Sequence, residues 1–426
     1  MNRLIIRRIF ALSAILIFSP THQMYAQNQE NWTHFRGSDL SGIATGTYPV
    51  EWNDSTNVVW KTLIEGRGWS SPVVYGNQVW LTSASPDGKD MFVVCLDFES
   101  GEIIHTIDMF RPEKVYRKHA VNSYATPTSV IEKGYVYVHF GRYGTACINT
   151  ESGEKVWDRT DMQCEHIQGA GSSLFLYENK LIVHMEGTDV QDIYALDKRS
   201  GNTIWVAKRD TELLDKIDDI GKKAYVTPIV MEVNGRKLLI SNGSVACNAY
   251  DLETGEEVWF IPQGEDSTIS MPVQYKGKVY FYTSFVTPEE GEKYCELWAV
   301  DPKGKGNLTE NIIWRKSFPV LQLLTPVIYD DLLYTVDTWG ILHCLDAANG
   351  ETIWTHRMKG KYNSSPVVAN ELVYINSTRG ETTVFKTGRE YKEVAVNILP
   401  GEIWATPAFV SGSILMRTSE GLYKIN

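Results

Sequence analysis

The chain has 426 residues, enough for two or three ordinary domains or for one large repetitive domain. Hydrophobic residues make up 43% and charged residues 22%, a globular composition that excludes an intrinsically disordered chain. The formal net charge of −11 argues against a nucleic-acid-binding protein, since such proteins carry basic patches or stripes.

Residues 1–27 have the pattern of a secretory signal peptide. Three arginines form a basic start, Ile9–Phe18 is an apolar run too short to span a bilayer, and a cleavable stretch follows. An uncleaved membrane anchor is the alternative interpretation. Loss of the three arginines leaves 38 basic against 52 acidic residues, a net charge of −14. We therefore expect a periplasmic or secreted protein of a bacterial cell envelope, with no further membrane-spanning segment.

A short strand, usually opening with Ser-Pro or Thr-Pro, recurs along the rest of the chain at spacings of 40–56 residues. Each copy continues with a second apolar strand, a third strand ending in a turn such as LDFESGE, and a fourth strand that often closes with Trp. Four short strands per repeat are typical of a β-propeller blade. The eight copies begin at Ser71, Thr126, Gly171, Thr227, Met271, Thr325, Ser365 and Thr406.

The repeated residues have structural reasons. Gly supplies a turn position with positive φ, Asp or Asn caps the turn, and Trp covers the gap to the neighbouring blade. The eighth copy has only three strands, and Asn57–Lys61 is an orphan strand that can close it. The sequence therefore predicts an all-β fold: one monomeric, eight-bladed propeller of four-stranded antiparallel blades over residues 28–426. Residues 28–56 are expected to lie against the closure.

The repeats resemble the tryptophan-docking repeats of the pyrroloquinoline-quinone (PQQ)-type β-propellers. The turns Leu196–Trp205 and Leu345–Trp354 carry the resemblance through the pattern LDxxxGxxxW, together with the Ser/Thr-Pro openings and WTHFRG from Trp32. More narrowly, the chain is similar to secreted PQQ-binding-like β-propeller repeat proteins. The resemblance implies a fold shared by quinoprotein dehydrogenases and by non-catalytic scaffolds, such as the propeller lipoprotein of the outer-membrane β-barrel assembly machinery.

One face of such a propeller holds nearly all the extra loop length. The links between blades and the loops between second and third strands are long, whereas the other face has short turns except for Pro302–Asn311. Length variation on one face of a repeat array usually marks the binding face. We expect a funnel over the central channel there, which binds a protein segment or a small polar ligand. The candidate ligand-binding residues are Arg67, Trp69, His119, Asn122, Tyr124, Arg142, His166, His184, Asp337, Trp339, Asn363, Arg379 and Trp404, with Gln168 and Tyr225 beside them.

Several other interpretations of these residues stay open. The side chains can fill the narrow channel, or His119, His166 and His184 can form a metal site, although they lack a fixed ligand spacing. No GxSxG or HExxH motif points to a hydrolase. The sequence therefore predicts no catalytic residue and no metal site.

The function expected is that of a non-catalytic binding or scaffold module of the cell envelope, without a cofactor. The alternative is a PQQ-dependent oxidoreductase that acts on an alcohol or sugar. The resemblance implies that such an enzyme needs a stacking aromatic, a charged clamp and a calcium ion held by carboxylates and an amide. Trp339, Trp404 and Arg67 are the residues available for stacking and clamping.

Overall fold

The computed structural model describes residues 31–209, 211–286, 291–320 and 322–426, so the predicted leader at 1–27 lies outside the described residues. Eight sheets follow one another along the chain, each with four antiparallel strands ordered from the central channel outward. The prediction of an all-β, eight-bladed propeller is confirmed. Among the described residues, no helix has the length and apolar character needed to cross a membrane.

The blades are numbered in chain order, and their strands are given from the innermost outward. The strands of blades 1 to 4 are Val73–Tyr75, Gln78–Ala84, Met91–Asp97 and Ile103–Phe110; Val130–Glu132, Tyr135–His139, Thr145–Asn149 and Lys155–Arg159; Phe175–Tyr177, Lys180–Glu186, Gln191–Asp197 and Thr203–Lys208; Ile229–Val233, Arg236–Asn242, Ala246–Asp251 and Glu257–Pro262. The strands of blades 5 to 8 are Val273–Tyr275, Lys278–Tyr282, Cys295–Val300 and Ile312–Phe318; Val327–Tyr329, Leu332–Val336, Ile341–Asp346 and Thr352–Arg357; Val367–Ala369, Leu372–Asn376, Glu381–Lys386 and Glu393–Ile398; Ala408–Val410, Ser413–Thr418, Gly421–Ile425 and Val58–Thr62. The link between blades 3 and 4 contains two short helices, Thr211–Leu214 and Asp219–Lys222.

The two ends of the propeller meet in blade 8. Val58–Thr62, close to the N-terminus, pairs antiparallel with Gly421–Ile425, close to the C-terminus. The predicted closing strand, Asn57–Lys61, is thus confirmed with a shift of one residue. Closure in this way gives the last blade its fourth strand and joins the chain ends through backbone hydrogen bonds.

The repeated tryptophan fastens five of the eight blades to the next one. The Trp205 indole N–H donates to the Leu252 carbonyl of blade 4 at 3.1 Å, and its ring lies against Gly255, where a Cβ would come within 2.7 Å of the ring. Gly255 also has φ +74°, which favours glycine. The glycine of the turn motif and the tryptophan of the preceding blade therefore form one contact between blades. Equivalent indole bonds run from Trp60 to Phe98, Trp157 to Lys198, Trp314 to Ala347 and Trp354 to Gly388.

The insertion Pro302–Asn311 replaces this contact at one junction. Its short strand Gly306–Asn307 pairs in parallel with the outer strand of blade 4 at Trp259 and Phe260. The Trp259 ring is fully buried there, and Leu308 of the insertion is buried with it. The insertion therefore covers the blade 4 tryptophan with a strand and an apolar side chain.

The stretch before the closing strand lies against the closure as expected, since Trp32 and Tyr48 pack on Phe409 of blade 8, but it also extends across the channel. Residues 31–52, which we call the N-terminal plug, cross the short-turn end of the channel and contact blades on opposite sides of the ring. The Trp32 N–H donates to the Val74 carbonyl of blade 1 at 3.0 Å, and His34 lies 3.1 Å from the Leu176 carbonyl of blade 3. Further along, Ile43–Ala44 adds a parallel strand to the inner edge of blade 7.

Arg36 holds the centre of the plug. Its side chain is fully buried, and the guanidinium donates to the carbonyl oxygens of Thr325, Pro326, Pro366 and Ser41 at 2.9–3.3 Å. The first three acceptors belong to blades 6 and 7, so one cation ties the plug to both blades. The preceding residue, Phe35, lies in the channel. The plug therefore fills the end of the channel opposite the long loops.

Candidate functional site

The chain that enters each inner strand presents two side chains to the channel, spaced two residues apart because alternate residues of an extended chain share a side. The deeper set, which we call the hydroxyl ring, comprises Ser71, Thr128, Ser173, Thr227, Met271, Thr325, Ser365 and Thr406. The set nearer the long loops, which we call the mouth ring, comprises Trp69, Thr126, Gly171, Tyr225, Ile269, Leu323, Asn363 and Trp404. With four loop residues and Phe35, the rings enclose a cavity of about 220 Å³ at the long-loop end of the channel.

The hydroxyl ring joins neighbouring blades. The backbone N–H of Ser71 donates to the Thr128 hydroxyl, that of Thr128 to Ser173, and that of Ser173 to Thr227, at 3.0–3.1 Å. The same bond recurs at three further junctions, with Thr325, Ser365 and Thr406 as acceptors at 3.0–3.2 Å. The repeated Ser and Thr residues are therefore fixed by the construction of the ring.

This pattern corrects the alignment of two repeats. The sequence placed Pro127 of repeat 2 and Ser172 of repeat 3 opposite Pro72. In the structure Thr128 and Ser173 take the place of Ser71, so the two repeats are shifted by two residues. Thr126, which opens the TP pair, belongs instead to the mouth ring.

Two stacked indoles form one wall of the mouth. The rings of Trp69 and Trp404 lie 5.1 Å apart at 13°. The Trp69 N–H donates to the Val121 carbonyl, and the Trp404 N–H donates to the Glu402 carboxylate, both at 3.1 Å. Arg67 lies 4.8 Å from the Trp69 ring centre and 3.4 Å from Glu402. Because both indole N–H groups are occupied, the pair offers apolar ring surface to a ligand.

Amides, hydroxyls and one imidazole form the polar part of the mouth. Asn122 donates to the carbonyls of Gln168 and Ala170 at 2.9 and 3.0 Å, and Tyr225 donates to the Gln168 side-chain oxygen at 2.7 Å. The Asn363 amide makes no side-chain hydrogen bond with any described residue, although it lines the cavity. Its donors and acceptor are therefore available to a ligand.

The cavity is uncharged, and its lining is mainly apolar with a few hydrogen-bonding groups. None of the described residues that line it is Lys, Arg, Asp or Glu. His119 lies at the exposed rim, and burial raises the pKa of Tyr225, which keeps its phenol neutral. The lining therefore suits an uncharged ligand that has both apolar surface and hydrogen-bonding groups.

Tyr124 and Arg142 lie outside the cavity. The Arg142 guanidinium lies 3.7 Å from the Tyr116 ring centre and 3.4 Å from the Glu165 carboxylate. The Tyr124 hydroxyl donates to the Tyr116 carbonyl at 3.1 Å. Both side chains hold the long loop between blades 1 and 2 in place.

His166 and His184 are buried below the loops and do not converge with His119. His166 lies 3.2 Å from the Cys164 sulfur, and burial lowers its pKa well below 6.5, which keeps the imidazole neutral. His184 lies 3.2 Å from the buried carboxylate of Glu186. Among the described residues, no group of three or more His, Cys, Asp or Glu is placed to hold a metal ion.

Glu186 is the centre of a buried charged network. Burial opposes its ionisation, but the charges of Arg209 and His184 hold its pKa far below the usual range. Arg209 bonds directly to Glu186 and donates to the Ser241 hydroxyl at 2.7 Å, which joins blades 3 and 4. His184 thus belongs to a structural network.

The remaining predicted residues lie on the long-loop face beside blades 6 and 7. Asp337 is buried, and its carboxylate accepts the backbone N–H groups of Trp339 and Ile341 at 2.9 Å. Trp339 is 56% exposed, and Arg379 is exposed on the neighbouring loop. Of the thirteen candidate residues, the cavity lining brings together Trp69, His119, Asn122, Asn363 and Trp404.

Neither the residues of the hydroxyl ring nor Phe35 is predicted from the sequence to line the cavity. The recurrent Ser and Thr were a signal for the ring, but their role as strand openings concealed that they face the channel. For Phe35 the sequence offers no comparable signal, because the plug occurs once and has no repeat to align.

The lining does not fit a PQQ cofactor with calcium. PQQ carries three carboxylates, and its calcium needs carboxylate oxygens, whereas the described lining residues supply no cationic and no carboxylate side chain. Trp339 lies outside the cavity, and Arg67 is bound to Glu402 at the rim. The residues that the sequence offered for clamping and stacking therefore do not assemble around one ligand.

Comparison with known proteins identifies relatives of two kinds. The chain is 22% identical to the outer membrane protein assembly factor BamB of Yersinia pestis over 264 residues, which are 60% of each protein. The crystal structure of BamB from Moraxella catarrhalis superposes with a TM-score of 0.59 at 14% identity, covering 86% of this chain and 96% of that one.

A quinoprotein enzyme shares the fold equally well. The quinohemoprotein alcohol dehydrogenase of Comamonas testosteroni superposes with a TM-score of 0.64 at 11% identity, covering 92% of this chain and 77% of that one. At such identities, similarity to a solved structure shows the fold alone. The family profile described as outer membrane protein assembly factor BamB matches residues 43–174, 189–309 and 296–390. The chain therefore belongs to this family of PQQ-like β-propeller proteins.

Proposed function

We propose that the protein is a non-catalytic binding module of the bacterial cell envelope, and that its ligand site is the cavity at the long-loop end of the channel. The observation that carries the proposal is the lining: stacked indoles and the free Asn363 amide around an uncharged cavity whose floor is Phe35. Such a site can hold a small polar molecule or one unit of a longer chain.

The proposal follows from what the cavity can and cannot do chemically. General acid–base or nucleophilic catalysis needs a titratable group activated by a partner, and His119 is the imidazole at the rim. Its Nδ1 accepts the backbone N–H of Val121 at 3.3 Å, and no carboxylate among the described residues bonds to the ring. Binding is therefore the activity that these groups support best.

The envelope location and the domain arrangement belong to the same proposal. The leader pattern at 1–27 supports export, and the relatives from Yersinia pestis and Moraxella catarrhalis are BamB proteins, outer membrane protein assembly factors. A single propeller domain over residues 28–426 carries the site. The alternative, a PQQ-dependent oxidoreductase for an alcohol or sugar, is supported by similarity of fold to the Comamonas enzyme.

A thermal-shift screen tests the proposal. Monosaccharides, dipeptides, nucleosides, and PQQ with Ca²⁺ are added to the purified chain and to two variants. A ligand at about 100 times its Kd stabilises the folded state by about 2.7 kcal/mol. For a chain of this length, that is a rise in Tm of about 3 °C.

The matched variants locate the effect. Asn363→Ala removes the free amide in the cavity, whereas Asn202→Ala removes an exposed amide from a turn on the opposite face. We expect a neutral polar compound to raise the Tm of the parent chain and of Asn202→Ala, but not of Asn363→Ala. A rise in Tm with PQQ and Ca²⁺, accompanied by dye-linked oxidation of an alcohol, would establish the alternative instead.

A further inference from the structure

A cluster of cations surrounds Trp339 on the long-loop face. The Arg357 guanidinium donates to the Trp339 carbonyl at 3.1 Å, and the Lys361 ammonium lies 5.1 Å from the Trp339 ring centre. Lys359 lies between them, and Arg379 stands on the next loop. We call Arg357, Lys359, Lys361 and Arg379, together with Trp339, the basic ridge.

Backbone hydrogen bonds hold the ridge together. The Tyr362 N–H donates to the Thr338 carbonyl at 3.3 Å, and the Thr378 N–H donates to the Lys361 carbonyl at 2.8 Å. These bonds bring the loops of blades 6 and 7 side by side. The ridge cations are therefore placed by the fold, although their side chains are exposed.

The cations of the ridge are exposed, and the Asp337 carboxylate that accepts the Trp339 N–H is buried. None of its four cations forms an ion pair with another described residue, whereas Arg67, Arg142 and Arg389 each do. This concentration of cations occurs on a chain of net charge −11. An exposed tryptophan with unpaired cations around it attracts an anionic partner that also has apolar surface.

The ridge leads directly into the cavity. Lys361 precedes the cavity residue Asn363 by two residues, so their backbones are at most about 7 Å apart. Lys118 precedes the rim residue His119, but its ammonium lies 5.4 Å from the Tyr124 ring centre and does not line the cavity. The uncharged cavity thus has the basic ridge at one side of its mouth.

The cavity and the basic ridge would bind chemically different parts of one ligand. The cavity accepts an uncharged unit with apolar faces and hydroxyl or amide edges, which is the character of a sugar ring. The ridge accepts a carboxylate or sulfate at a neighbouring position. A polyacidic peptide meets the second demand but not the first, since its carboxylates would lose hydration in the cavity without a cation to replace it.

We propose that the protein binds an acidic polysaccharide in which neutral and acidic sugars alternate, with a neutral sugar in the cavity and its acidic neighbour on the basic ridge. This inference rests on the proposed function, because it assigns a ligand class to the same cavity. It adds a second surface that the cavity alone does not require. A nucleic acid also alternates neutral nucleosides with anionic phosphates, but the net charge of −11 disfavours it as the ligand.

Binding of defined hexasaccharides tests the inference. The probes are a hyaluronan hexasaccharide, in which N-acetylglucosamine and glucuronate alternate, and chitohexaose, which is N-acetylglucosamine alone. Polyglutamate serves as an anion without sugars. Titration calorimetry at 50 and 200 mM NaCl measures each Kd. We expect hyaluronan to bind more tightly than chitohexaose, with a difference that shrinks at the higher salt concentration.

Variants separate the two surfaces. Lys361→Gln with Arg379→Gln should weaken hyaluronan binding by about 3- to 30-fold and leave chitohexaose unchanged, since each exposed ion pair contributes modestly. Asn363→Ala should weaken both sugars. Lys386→Gln with Lys392→Gln, which removes two exposed cations elsewhere on blade 7, should change neither.

Four results would overturn the inference. Equal binding of polyglutamate and hyaluronan would reduce the ridge to a nonspecific charged surface. Unchanged hyaluronan binding in the ridge variant would remove the ridge from the site. If neither hexasaccharide binds while a dipeptide or nucleoside raises the Tm through Asn363, the sugar inference fails and the proposed function stands. If none of these compounds acts through Asn363, both fail.

Discussion

Arg36 offers a direct test of how the N-terminal plug is held. Arg36→Met keeps the apolar stem and removes the guanidinium, which leaves the carbonyls of Thr325, Pro326 and Pro366 without their donor. A buried acceptor that loses its partner costs about 1–3 kcal/mol, and removal of one partner from a buried charged contact costs about 3–5 kcal/mol in total. We take about 3–5 kcal/mol as the expected loss of unfolding free energy.

The loss can be measured by heat and by urea. Unfolding entropy is about 2.1 cal/mol/K per residue, so 3–5 kcal/mol lowers the Tm of a chain of this size by roughly 4–6 °C. The urea midpoint should fall in parallel with an unchanged slope. Arg389→Met is the matched control, because Arg389 is exposed and forms one long ion pair at 3.5 Å. It should lose less than about 0.5 kcal/mol. Equal losses in the two variants would refute the role assigned to Arg36.

Three further predictions concern the blades, the histidines and the cavity. Trp205→Ala should lower the unfolding free energy by about 3–5 kcal/mol. Gly255→Ala should cost more stability than Gly235→Ala, because both glycines have φ near +75° but only a Cβ on Gly255 would meet a ring, at 2.7 Å. Urea unfolding of the three variants measures these losses, and equal losses in the two glycine variants would contradict the docking contact. Burial lowers the pKa of His34 to about 4 and that of His139 to about 3, so the unfolded chain takes up protons at a higher pH than the folded chain. The unfolding free energy should therefore fall by about 1.5–2 kcal/mol per histidine from pH 6.5 to pH 5. The Tm of His34→Gln should change less than that of the parent chain across this range, whereas carboxylates contribute at lower pH. Phe35→Ala should weaken ligand binding in the cavity with Asn363 intact, as measured by the thermal-shift assay, and an unchanged shift would place the ligand away from the floor.

Repetition explains why so much of the fold could be predicted. Most blades reuse one turn and one tryptophan, so the pattern at Leu196–Trp205 specifies a contact that the structure repeats at five junctions of the ring. The closing strand was also predictable, since a blade with three strands needs a fourth. The shifted alignment at Pro127 shows the limit of this reasoning: the Ser/Thr-Pro pair resembles the ring position although the ring hydroxyl belongs to Thr128.

The plug and the cavity were less predictable for a physical reason. Arg36 contacts carbonyls about 290 and 330 positions away in sequence, and no repeat links these segments. The site residues lie on loops whose paths depend on such single contacts. Arg142 turns towards Tyr116, whereas Asn122 reaches the cavity and also donates to two carbonyls. The residue types indicated which face of the propeller holds the candidate site, but the conformations of the loops determine which side chains line the cavity.

The two rings divide structural and binding roles between positions two residues apart. Six members of the hydroxyl ring accept a backbone N–H from the preceding blade, and Ser or Thr occupies the position in every blade except blade 5, which has Met271. No blade junction needs the mouth-ring side chains in that way, and they differ in size and polarity around the ring: Trp69, Thr126, Gly171, Tyr225, Ile269, Leu323, Asn363 and Trp404. Ligand selectivity can therefore change at these positions without loss of the propeller. For this reason, membership in the family specifies the scaffold, whereas the ligand must be inferred from the mouth ring and the basic ridge.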